Sequence, residues 1–63
     1  MAYVLPNSIT HIDDYKFKNF THMTSVRIPN SVTWIGKDAF KNCTSLTSVI
    51  IPNSVIELDD RLL

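Results

Sequence analysis

The sequence predicts a solenoid: stacked coils of about two dozen residues carrying short parallel strands. Three observations carry this. First, Pro-Asn-Ser occurs at Pro6, Pro29 and Pro52, 23 residues apart each time. Second, sliding residues 6–28 onto 29–51 matches 13 of 23 positions identically. Third, mismatches at the apolar positions stay apolar (Ile9/Val32, Phe20/Cys43, Met23/Leu46). A period of this length marks a chain whose coils bury their apolar residues against the coils above and below.

The strands come first in each period. Residues 2–5, 24–28 and 47–51 (AYVL, TSVRI, TSVII) each alternate, one side in and one side out. Tyr3, Val26 and Val49 point inward, with Leu5, Ile28 and Ile51. Ala2, Ser25 and Ser48 form one outward row, and Val4, Arg27 and Ile50 the next. The proline that follows ends each strand because it has no N–H for the ladder. Pro-Asn-Ser is then a turn, with φ set by the ring and the asparagine able to bond nearby backbone.

The next segment, SVTWIG, has core residues three apart at Val32 and Ile35. That spacing fits an extended, irregular or short-strand return path. Trp34 takes the place held by His11 and Glu57 in the other units, so it is expected to face solvent or a partner. Gly36 aligns with Asp13 and Asp59, which suggests a corner with positive φ. Residues 37–43 are expected to make one or two helical turns, with Phe40 and Cys43 inward. Ala39 aligns with Lys16 and is expected near the rim.

These residues resemble the BspA-like leucine-rich repeat family, whose unit reads much like SVTSIGxxAFxxCxxLxxVxIPxS. The matching residues are Ser31, Val32, Thr33, Ile35, Gly36, Ala39, Phe40, Cys43, Leu46, Val49, Ile51, Pro52 and Ser54. The central unit carries most of it. The first has Asp13 for the glycine and Phe20 for the cysteine, Trp34 stands where serine is usual, and the chain departs after Val55. The resemblance implies a right-handed leucine-rich repeat solenoid with its parallel sheet on the concave face. It also implies a non-catalytic adhesion or protein-interaction module of the cell-surface or secreted type. No catalytic residue belongs to such a unit.

On this reading 1–63 is a single partial solenoid: full repeats at 6–28 and 29–51, a truncated one at 52–63, and no evident cap. A chain of 63 residues buries only about 60% of its unfolded surface. Open coils at both ends are therefore expected to pair with another chain, as a homo-oligomer.

Six basic and six acidic residues give zero net charge. No basic stripe interleaved with aromatics suggests nucleic acid. No apolar run is long enough to span a bilayer, and MAYVLPNS lacks the charged and apolar regions of a signal peptide.

Chemistry-bearing residues are few. Cys43 beside His22 could suggest a nucleophile, but a cysteine aligned with Phe20 reads as a small core group. His11, His22, Cys43 and the aspartates lack metal-ligand spacing. The pairs Asp13-Asp14 and Asp59-Asp60, roughly 10 Å apart across two coils, lack a calcium loop. We expect no cofactor. The rows Asn7, Asn30, Asn53 and Asn19, Asn42 read as ladders satisfying coil corners. Asn19-Phe20-Thr21 and Asn42-Cys43-Thr44 match a glycosylation sequon, but a core-facing middle residue argues against its use. The candidate binding residues are Val4, Ser25, Arg27, Ser48, Ile50 and Trp34, for a protein or glycan ligand.

Overall fold

The computed structural model describes residues 1–59. Within them the chain coils in register with the 23-residue period. Two parallel sheets run down the stack. The first joins β1 (Ala2–Val4), β3 (Ser25–Arg27) and β5 (Ser48–Ile50). The second joins β2 (His11–Ile12), β4 (Trp34–Ile35) and β6 (Glu57–Leu58). Each pairing offsets partners by one period: Tyr3 lies beside Val26 and Val26 beside Val49, His11 beside Trp34 and Trp34 beside Glu57.

The inward residues form one core of Leu5, Ile12, Phe17, Met23, Val26, Ile28, Val32, Ile35, Ala39 and Phe40. Phe17 and Phe40 stack with ring centroids 5.5 Å apart and planes 12° from parallel. Tyr3 and Phe20 close edge-on over Phe17, at 5.1 and 5.4 Å. Such edge-to-face contacts suit the quadrupoles of the rings.

Residues 37–43 are not helical. Both this segment and its first-coil counterpart form a run of turns, with left-handed backbone at Tyr15, Asn19, Asp38 and Asn42. The hydrogen bonds explain why. In the first coil, alternate N–H groups donate within the coil: Lys16 to Asp13, Lys18 to Tyr15, Phe20 to Phe17. The groups between donate to the next coil: Tyr15 to Lys37 O, Phe17 to Ala39 O and Asn19 to Lys41 O, at 3.0, 2.8 and 2.9 Å. A helix would turn every N–H back on its own coil; here half of them join the coils together.

Three further expectations are corrected. Gly36 has no positive φ. Its lack of a side chain is needed because a Cβ there would collide with the Asp14 carboxylate and lie 2.7 Å from the Asp14 backbone nitrogen. Ala39 is fully buried rather than at the rim; its carbonyl sits in the turn ladder, with its methyl group facing the core. Phe20 is 38% exposed rather than core-facing, since it covers Phe17 from the outer side of the first coil.

Candidate functional site

The first sheet places its outward residues as the alternation requires. Val4 pairs with Arg27 and Arg27 with Ile50, one residue per strand. All three are exposed, Val4 to 70% and Ile50 to 77%. Parallel strands about 4.8 Å apart hold such side chains at fixed spacing. The result is an apolar–cationic–apolar row on a rigid support. Ala2, Ser25 and Ser48 form the parallel row beside it, small enough to leave the neighbouring side chains accessible.

Trp34 does not join this row. It lies on the second sheet, half-buried, between His11 and Glu57. Its ring sits 5.9 Å from the His11 ring. His11 Nε2 lies 3.1 Å from Asp13 Oδ1, and its Nδ1 is 3.2 Å from the Thr10 hydroxyl. The six candidate residues thus divide between two faces, five on one and Trp34 on the other.

The asparagine ladder forms at the turns, where Asn42 Nδ2 donates to Asn19 Oδ1 at 2.9 Å. Both residues are left-handed, a conformation asparagine adopts more readily than most. That preference is the sequence signal that could have located the left-handed corners. Asn7, Asn30 and Asn53 are exposed at the other corner. Threonines add a second ladder: the hydroxyls of Thr33 and Thr47 donate to the carbonyls of Thr10 and Thr24.

Cys43 is half-buried, and its thiol donates to the Phe17 carbonyl at 3.1 Å. Burial pushes that thiol above its usual range, with a backbone hydrogen bond at Phe20 acting the other way. A nucleophile needs the opposite shift. Asp14 is occupied structurally, its carboxylate accepting from the Lys37 N–H at 2.8 Å. Among the described residues no three histidine, cysteine, aspartate or glutamate side chains gather as a metal site; Asp60 lies outside those residues. No described helix is long and apolar enough to cross a membrane.

Open hollows on the described surface include one on each coil. One, of about 380 Å³, lies against the second coil, lined by Phe40, Cys43, Leu46 and Val49 among others. The other, of about 430 Å³, lies against the first coil, with Tyr3, Ile9, Ile12 and Lys16 in its lining.

A stack of coils with short parallel strands and an inward apolar register repeating every 23 residues has the architecture of a leucine-rich repeat protein. The chain belongs to the family described as BspA type Leucine rich repeat region (6 copies), whose model matches residues 2–63. No curated protein and no solved structure matches the chain. Membership suggests a protein-interaction module, in a family that is typically non-catalytic.

Proposed function

We propose that the chain is an adhesion-type interaction module of a cell-surface or secreted protein, and that it binds a protein ligand through the outward face of its first sheet. The observation that carries this is the row Val4, Arg27, Ile50, in register on neighbouring strands. Arginine between exposed aliphatics matches protein interfaces, where arginine is enriched and apolar groups form the centre. A sugar-binding face would instead offer aromatic rings for stacking, and this row has none. Family membership supports the same reading.

The test is a comparison of the native chain with the double variant Arg27→Glu, Ile50→Asp. Both are immobilised and probed with purified soluble proteins and with a glycan array. The native chain is expected to retain protein ligands, and the double variant to lose retention by more than about tenfold. Equal retention by the variant, or signal on the glycan array alone, would overturn the assignment.

A further inference from the structure

Where β3 runs into the second Pro-Asn-Ser corner, a hollow of about 380 Å³ opens on the surface. Its lining is Arg27, Ile28, Pro29, Asn30 and Ser31, with Asn7 from the corner one coil earlier. The lining holds a single charge, the Arg27 guanidinium, which does not deprotonate in proteins. Among the described residues the Arg27 side chain makes no hydrogen bond and no ion pair. The described acidic residues, Asp13, Asp14, Asp38, Glu57 and Asp59, belong to the strands of the second sheet and the segments that follow them. The exposed amides of Asn7 and Asn30 are likewise unpaired among the described residues. The bond that joins Asn42 to Asn19 across the turns is not repeated between these two. Val4 and Ile50 hold the place of Arg27 on the neighbouring strands, so of the three described corners this one alone carries the cation.

We propose that this hollow takes the carboxylate of an aspartate or glutamate side chain presented by the protein ligand. The proposal rests on the reading of Val4, Arg27 and Ile50 as the ligand face, and it gives that ligand a chemistry: an acidic residue with apolar neighbours. The planar guanidinium fork matches a carboxylate with two parallel N–H···O bonds. The Asn7 and Asn30 amides add neutral donors in the same hollow. One positive charge balances one carboxylate; a phosphate group, at about −1.5 to −2 near pH 7, would remain in excess. Val4 and Ile50 flank the contact on both sides. Apolar ligand groups seated on them exclude water, and a charge-assisted hydrogen bond strengthens when water is excluded. An arginine on an open surface without such flanks gains little from an ion pair.

Titration followed by NMR reads the contact at the groups concerned. The probe is an acetylated, amidated peptide, Val-Thr-Glu-Thr-Val, whose alternate side chains share one face when extended. Two further peptides carry Gln or phosphoserine at the centre. The Glu peptide is expected to shift the Arg27 Nε–H signal and the side-chain amide signals of Asn7 and Asn30. It is expected to bind at least about tenfold more tightly than the Gln peptide. Arg27→Lys keeps the charge and loses the fork, and is expected to weaken the Glu peptide at least about threefold. Asn30→Ala is expected to weaken it by a smaller factor. Both side chains are exposed and unpaired, so circular dichroism is expected to show the native fold in each variant. Equal binding of the Glu and Gln peptides, tighter binding of the phosphoserine peptide, or no shift at Arg27 would overturn the proposal. The wider reading fails separately. Protein ligands retained by the native chain and lost by Ile50→Asp, with Glu and Gln peptides bound alike, would uphold the face and refute the hollow. Glu-selective peptide binding, with no protein retained by the native chain, would uphold the hollow and refute the face.

Discussion

The junction between the first and second coils differs from the junction between the second coil and the residues that follow Pro52. The first is tied on every side. Thr33 and Gly36 donate to Thr10 O and Ile12 O at 2.7 and 2.9 Å. Lys37 N–H reaches the Asp14 carboxylate, three turn N–H groups cross to Lys37, Ala39 and Lys41, and Phe17 stacks on Phe40. In the second junction, within the described residues, Ile56 and Glu57 share Thr33 O at 2.9 and 3.3 Å, and Asp59 donates to Ile35 O at 3.3 Å. One repeat position shows the consequence. Ile12 and Ile35 are 2% and 0% exposed, whereas Leu58 is 46% exposed. The residue types are nearly equivalent, so the difference lies in what covers them. In a solenoid, burial belongs to the pair of coils and not to the unit.

The largest effect therefore separates two substitutions at that position. Ile35→Ala removes a side chain packed from both sides and is expected to cost about 2–5 kcal/mol. Leu58→Ala removes one already nearly half in water, and its cost is expected to stay under about 1 kcal/mol. Urea unfolding followed by circular dichroism measures both. Equal losses would mean that the two junctions are energetically alike despite the difference in exposure.

A smaller effect isolates the close approach at the first junction. Gly36→Ala adds a methyl group against Asp14, and overpacking of this kind costs about 1–3 kcal/mol. The φ of Gly36 is not positive, so backbone strain contributes little and the collision accounts for the loss. Asp14→Gly removes the carboxylate that the methyl group meets. In the double variant the added cost of Gly36→Ala is expected to shrink, which a double-mutant cycle by thermal melting reads directly. Purely additive losses would place the collision on the Asp14 backbone nitrogen, 2.7 Å from the added carbon, and not on the carboxylate.

Much of the tied junction was legible in the sequence, for a physical reason. Residues one period apart must share an environment, so identity at Ile12/Ile35, Phe17/Phe40 and Val26/Val49 fixes both register and inward face. The turn run was harder to read. Apolar residues at Phe40 and Cys43, three apart, fit a helix as well as they fit consecutive turns. The residues that decide the matter are Tyr15 and Asp38, left-handed without being glycine. Position 36 misled in the opposite sense, because its glycine answers to a neighbour's carboxylate and not to its own φ. For the candidate site, alternation placed Val4, Arg27 and Ile50 on one face. Trp34 was placed by the period and not by alternation: it takes the position of His11 and Glu57 on the return path, and these three are neighbours in the second sheet.

The smallest effect reads the open side of the second coil through Cys43. Burial raises the thiol pKa above its ordinary value of 9.0, so the folded chain holds this proton more tightly than the unfolded chain does. Well below pH 9.0 the thiol is neutral in both states and its contribution is complete. As pH rises further the unfolded chain ionises first, and the contribution falls until the folded thiol ionises too. Cys43→Ala removes this titration together with the packing of the sulfur. The stability difference between native chain and variant is therefore expected to narrow above pH 9.0, seen as converging melting temperatures. The thiol is likewise expected to react slowly with a disulfide reagent at neutral pH, since the thiolate is the attacking species. A difference that stays constant with pH would mean that the thiol is as well solvated as in the unfolded chain, and that the second coil is more open on this side than its half-buried side chains indicate.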